Sequence, residues 1–248
     1  MPSLASERID AGIEVLRLDR PAVRNALDTP TLEELLEALA RLAADPDLRV
    51  LVFSTTSTRA LSAGADVTEA LTPEQGVARM ELFSRFYRAL EAFPVATVAV
   101  CVGNCVGAGA ELVAGVDLRA GGDNLELAWV GARHGVPVGP ARLTPLVGLS
   151  RAKELVLTGR VLGMEEAAEL GLLHRTAPAE QAEAAALALA EQVARRPPEG
   201  VRGLKALFRE LEGSAGRVAR ENERLEDFQR NGGGLPQGPA SPPPTAGG

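Results

Sequence analysis

Apolar positions along the chain follow two periods. Val95 to Val102 is a short, β-branched and uninterrupted run, the pattern of a central strand. Gly12 to Leu18 alternates and predicts a strand, and Arg49 to Ser54 predicts a second core strand. Between them Leu32, Leu35, Leu36 and Leu39 recur at helical spacing, after a start that Thr29 or Thr31 can cap with Pro30 tolerated in the first turn. Gly76 to Phe93 places Met80, Phe83, Phe86, Tyr87 and Leu90 on one side of another helix, a stripe more typical of core than of a cofactor site. Leu125 to Trp129 predicts a strand, Gly131 to Pro140 a glycine- and proline-rich loop, and Ser150 the cap of the next helix. Met164 to Leu170 is a helix closed by Gly171, Leu172 to Arg175 a short strand, and Glu180 to Arg196 an alanine-rich helix stopped by Pro197 and Pro198. Helices at about 199–212 and 216–229 follow, and the proline- and glycine-rich remainder is expected to be disordered. Strand-strand-helix units recur in order, which predicts an α/β fold.

The stretch Phe93 to Asp117 concentrates the chemistry. Gly103, Gly107 and Gly109 break the buried strand where it gives way to a helix, and glycines there admit positive φ and close approach of a ligand to the backbone. The helix begins near Ala108, so its first N–H groups are unpaired and the positive end of its dipole faces out. Glu111 lies one turn along on the same face, so a developing oxyanion and a carboxylate can share one pocket. Such a turn is also common as plain structure, and a Glu in a first helical turn complements the dipole without any catalytic role. The surrounding sequence has to decide.

Composition narrows the partners. A chain of 248 residues with 46% hydrophobic content can bury a sizeable core. A net charge of −7 disfavours nucleic acid or an anionic membrane surface, both of which call for a basic face. No window reaches the roughly 18 apolar residues of a membrane span, and MPSLASERIDAG lacks a charged-then-apolar leader pattern, so a cytoplasmic location is expected. Cys101 and Cys105 sit four apart in an apolar stretch, match no metal or redox spacing and read as packing residues; no metal site is expected.

Four segments taken together carry a family resemblance: LDRPAVRNALD near the start, SAGADVTE at Ser62 to Glu69, GNCVGAGAEL at Gly103 to Leu112, and LTGRVLGMEEAAELGLLHRTAP at Leu157 to Pro178. In this order they make the sequence resemble the enoyl-CoA hydratase/isomerase (crotonase) superfamily from about Gly12 to Phe208. The resemblance implies a spiral of ββα units over residues 1–195, a C-terminal helical region over 196–230 and a tail over 231–248, in a homotrimer or homohexamer. It implies an acyl-CoA thioester substrate, no separate cofactor, and stabilisation of a thioester enolate, a chemistry that this fold directs to hydration, isomerisation, decarboxylation or hydrolysis.

By the same resemblance, two oxyanion-hole N–H donors fall on Ala65 and on Ala108, where many relatives have glycine and where the backbone N–H survives the change. Coenzyme A is implied to lie along Arg24, Asn25, Ala26 and Leu27 and along Ala63, Gly64, Ala65 and Asp66. Arg20, Arg24 and Lys205 are the cations offered to its phosphates, each equally readable as a solvated charge, and Asp66 equally readable as a cap. Hydratases of the family commonly use two glutamates. Glu111 matches the first; the second aligns with Gly131, in a loop shorter than usual, and no Asp or Glu occurs from Leu127 through Lys153. Glu126 is the nearest acid. Glu111 acting alone on water, Glu111 as the single base of a double-bond isomerase, or His134 as a substitute acid or base all remain open, hydration being favoured. His174 reads as incidental, and Ser62 and Cys105 lack the partners of a hydrolase.

Overall fold

The computed structural model describes residues 2–9 and 12–235. Every residue of the run expected as a central strand, β5 (Ala96–Cys101), is buried. Burial on both faces is what a parallel strand needs when helices cover each side of its sheet. The sheet has six strands in the order β1 (Leu4–Ile9), β2 (Ile13–Leu18), β3 (Val50–Thr55), β5, β7 (Leu118–Gly122) and β9 (Arg175–Ala177). β1 runs antiparallel to β2, and the remaining neighbours are parallel. A second, three-stranded parallel sheet has the order β4 (Ala60–Ser62), β6 (Asn104–Val106), β8 (Glu126–Ala128). Each cycle places one strand in the large sheet, one in the small sheet and then a helix: β3, β4, α2 (Pro73–Glu91); β5, β6, α3 (Ala108–Gly115); β7, β8, α4 (Pro140–Thr158). The expected strand-strand-helix repeat is therefore the architecture, and the chain advances through it as a spiral.

The two faces of the large sheet bury different partners. Leu16, Leu18, Leu51 and Phe53 pack in one cluster with Leu32, Leu35 and Leu39 of α1 (Thr29–Ala43) and Phe83, Phe86 and Leu90 of α2. Ile13, Val15, Val50, Val52, Val98 and Val100 pack in the other against Ala182, Ala186 and Ala190 of α6 (Ala182–Ala194), which follows the short α5 (Met164–Glu169). Alanines let α6 lie close to the strands, while each large side chain fully buried on the other face contributes roughly 1.5–3 kcal/mol. After α6, α7 (Pro198–Glu212) buries none of its residues, and α8 (Ser214–Asn231) returns to pack on α2 and α4.

Several local expectations are corrected. The cap of α1 is Asp28, whose carboxylate accepts from the Thr31 N–H at 3.0 Å, so neither threonine serves. α2 starts at Pro73 behind a capping box made by Thr72 and Gln75. α4 starts at Pro140, within the predicted loop, and Gly148 (φ 77°) breaks its middle, so Ser150 is not its cap. The short strand expected at 172–175 is displaced to β9. β1 and β7 were not legible: β1 is half polar with none of its residues buried, and β7 contains Arg119 and two glycines. Arg119 is buried because its guanidinium donates to Leu172 O, Val113 O and Val116 O. Of the expected disordered tail, Asn231 ends α8 and residues 236–248 lie outside the described residues.

Candidate active site

Two loops distant in sequence are stitched into one bracket. Ala63 N–H donates to Arg24 O at 2.9 Å, Leu27 N–H to Gly64 O at 2.7 Å, and Asp66 N–H to Leu27 O at 2.9 Å. Because the backbone groups on either side of Ala65 face Leu27, its own N–H faces the opposite way. Asn25, itself at φ 54°, holds the bracket from beneath: its amide donates to Thr55 Oγ1, Ala60 O and Leu61 O, and its carbonyl oxygen accepts from Arg20 N–H. Gly64 is held at φ +100°, and a Cβ there would lie 2.7 Å from Val106 O and 3.5 Å from Ala108 N. The SAGAD loop thus lies directly against the N-terminus of α3. Neither Ala65 N–H nor Ala108 N–H has an acceptor among the described residues, and both alanines line one cavity of about 320 Å3. The remaining wall is largely apolar, with Met80, Phe83 and Tyr87 from α2 and Val136 and Val138 from the loop before α4. Two preorganised donors opening on a mainly apolar cavity suit charge that develops on a carbonyl oxygen.

Glu111 sits one turn beyond Ala108, fully buried behind the cavity wall rather than on it. Its Oε2 accepts from Arg142 Nη1 at 2.6 Å, while its Oε1 has no hydrogen-bond partner among the described residues. The same Nη1 donates to Glu221 Oε1 at 2.6 Å, and Arg142 stacks 4.1 Å above the Tyr87 ring. Burial raises the Glu111 pKa to about 7 and Glu221 adds to the rise, against the pull of Arg142. The indole N–H of Trp129 also favours the charged form from nearby, though it reaches no acceptor at hydrogen-bonding geometry. Tyr87 is pushed upward by burial and then by Glu111, which keeps its phenol protonated. Arg142, Glu221, Trp129 and Tyr87 were not singled out in the sequence. The first three carry no local motif, and Tyr87 was visible only as one member of an apolar stripe.

The second carboxylate is absent from the structure as it is from the sequence. No acidic residue lines the cavity among the described residues. Gly131 cannot host one without rearrangement, since a Cβ there would meet Val136 O at 2.7 Å. Glu126 accepts instead from the Asn104 side chain. His134 does line the cavity, on a single 3-10 turn (Gly131–His134) beside Arg133, and is exposed.

The remaining expected residues divide. Arg24 is exposed beside the bracket, its guanidinium 3.3 Å from Asn104 Oδ1. Arg20 pairs with Asp28 at 2.7 Å and donates to Ala26 O. The Asp66 carboxylate accepts from the N–H and hydroxyl of Thr68, the capping alternative, and is held below its ordinary pKa mainly by these bonds against the cost of burial. Lys205 is not brought to the cavity: its ammonium donates to Val95 O at 2.9 Å and Asp117 at 2.7 Å in a separate groove beside α7. His174 accepts from the Arg119 N–H, and burial holds its pKa down, so it is structural. Both cysteines are free and buried, with pKa values raised by desolvation. Among the described residues no group of three or more His, Cys, Asp or Glu could hold a metal ion, and no helix is long and apolar enough to cross a membrane.

Known proteins resemble this chain in sequence and in fold. The enoyl-CoA hydratase/isomerase family matches residues 8–227. The chain is similar to the mouse protein named enoyl-CoA hydratase domain-containing protein 2, mitochondrial, with 37% identity over 213 residues that cover 81% of this chain and 71% of that protein. It is similar to the 2,3-dehydroadipyl-CoA hydratase of Escherichia coli K12, 30% identical over 220 residues, covering 85% and 83% of the two chains. A crystal structure of an enoyl-CoA hydratase from Bacillus anthracis superposes with a TM-score of 0.80 at 25% identity, over 96% of this chain and 100% of that one.

Proposed function

Because the chain belongs to the enoyl-CoA hydratase/isomerase family, we propose that it is an enoyl-CoA hydratase that adds water in syn fashion across the double bond of a 2-enoyl-CoA. The observation that carries this reading is the meeting of two free N–H groups, Ala65 and Ala108, on one cavity with a protonatable carboxylate one helical turn behind. The thioester oxygen accepts from both donors, and the enolate that forms when water attacks C3 is held there. Glu111 takes the proton from that water and returns a proton to C2, one carboxyl serving as base and then acid. The bracket of residues 24–27 and 63–66 is the proposed seat of coenzyme A, which arrives as part of the substrate, so no separate cofactor is proposed. Purified protein given crotonyl-CoA is expected to consume the enone absorbance and yield 3-hydroxybutyryl-CoA. A shift of the double bond without hydration, or tight thioester binding without turnover, would sink the reading.

The full burial of Glu111 and its bond to Arg142, with no second carboxylate on the cavity, support a second reading. With one base and no second carboxylate, the same site is equipped to shuttle a proton between carbons, which is isomerisation, or to bind thioesters with weak turnover. Product analysis with 2-enoyl and 3-enoyl thioesters separates these outcomes from hydration.

A homotrimer or homohexamer is the proposed assembly. α7 supports it: Leu204, Leu207, Phe208 and Leu211 are exposed along a helix that buries none of its own residues. Sedimentation of the native protein is expected to give a mass of three or six chains, and a monomer at micromolar concentration would refute it. The proposed location is the cytoplasm. The mouse relative is mitochondrial by name, and cell fractionation distinguishes the compartments.

A further inference from the structure

Two carboxylates and one guanidinium are shut between α2, α3, α4 and α8, and the pairing is unequal. Arg142 Nη1 alone serves both acids, at 2.6 Å to Glu111 Oε2 and 2.6 Å to Glu221 Oε1. Arg142 Nη2 has no partner among the described residues, so the guanidinium makes no two-pronged pair with either carboxylate. Glu221 is fixed in this competition because its other oxygen accepts from the Ala141 N–H at 2.8 Å. The charged and titratable neighbours from every side are few. Tyr87 of α2 lies under the guanidinium, the Trp129 indole approaches from the end of β8, and Arg217 of α8 donates to the Ala141 carbonyl at 3.3 Å and is otherwise turned to Glu212. With both acids ionised, the cluster would hold one uncompensated negative charge at side-chain exposures of 4%, 0% and 7% for Arg142, Glu111 and Glu221.

We propose that Glu221 is a positioning residue for the reaction: by competing with Glu111 for the one shared nitrogen of Arg142, it prevents Arg142 from holding Glu111 as a permanent carboxylate, and leaves Glu111 Oε1 free to accept and return a proton. This rests on Glu111 being the base, as read above. A guanidinium paired with Glu111 alone would favour the charged form and weaken it as a proton carrier. A second carboxylate on the same nitrogen offsets that pull. The residue supplying it lies 110 positions along the chain, on a helix that contributes Leu225 and no acid to the cavity wall.

The test is a direct titration of the Glu111 carboxyl by 13C NMR in the full-length protein, with Glu111→Gln used to assign the signal. In Glu221→Gln the Glu111 midpoint is expected to fall by about 1–3 pH units, the usual effect of leaving an opposite charge unopposed. The acid limb of the pH profile of kcat/KM for crotonyl-CoA is expected to move down with it, and Glu221→Asp to move both back toward the wild type. A folded Glu221→Gln protein with an unmoved Glu111 midpoint overturns the proposal. Should that variant fail to fold, the wild-type titration decides: a Glu111 midpoint at or below the ordinary value of about 4.3 also overturns it. Since the titration reads the carboxyl itself, unimpaired hydration by Glu111→Gln would indict the assignment of the base and leave the coupling standing.

Discussion

Glu111→Gln is expected to lower the rate of enoyl-CoA hydration by about 100- to 10,000-fold, the range associated with losing a positioned acid–base group. Crotonyl-CoA binding should change little, because both proposed oxyanion donors are backbone N–H groups. A residual rate within tenfold of the wild type would remove Glu111 from the mechanism. The substitution should also reveal what the carboxyl costs the fold. Burial raises the Glu111 pKa to about 7, so between the ordinary carboxylate value and about 7 the folded protein holds a proton that the unfolded chain has released. Stability therefore falls as pH rises through that window, and the full cost is felt above it. Accordingly, Glu111→Gln should raise Tm at pH 8 and leave it near the wild-type value at pH 5.

Arg142→Leu is expected to destabilise the protein by about 3–5 kcal/mol at pH 8, the cost of removing one partner from a buried ionic cluster. It strands two carboxylates at once: Glu111 loses its only hydrogen bond, and Glu221 keeps only the Ala141 N–H. Tyr87 also loses the cation stacked on its ring. Urea unfolding would measure the loss. It should shrink as the pH is lowered toward 5, because a protonated carboxyl no longer requires the missing charge. A loss below 1 kcal/mol at pH 8 would mean that the cluster is not a structural keystone.

What could be read from the sequence was contiguous. The β5 run, the glycines after it, the start of α3 at Ala108 and the placement of Glu111 one turn later are all set by neighbours in the chain, and the structure preserves each relation. The bracket was legible as two segments, but not its stitching, since the bonds between residues 24–27 and 63–66 depend on how β3 and β4 are spaced. The extra strand β6 and the strand β7 were hidden because short or glycine-bearing segments bury through close approach rather than through large apolar side chains. That Lys205 lies in a separate groove was not legible, because one cation on a distant helix carries no information about which groove that helix borders. Most telling is the acid-free stretch from Leu127 to Lys153. It holds no second carboxylate, whereas the residue in it that hydrogen-bonds to Glu111 is the cation Arg142.

The position of Glu221 also orders the making of the enzyme in time. Glu111 and Arg142 both precede α8, so a chain emerging from the ribosome can form the spiral and pair them before α8 is made. Docking of α8, drawn in by Val218, Leu225 and the bond from Asn222 to Ser84 O, brings the Glu221 carboxyl to the Arg142 nitrogen that already serves Glu111. On the proposed role of Glu221, a chain cut short before α8 would keep the Ala65 and Ala108 N–H groups and the Glu111–Arg142 pair, and would lack the carboxylate that competes for Arg142 Nη1.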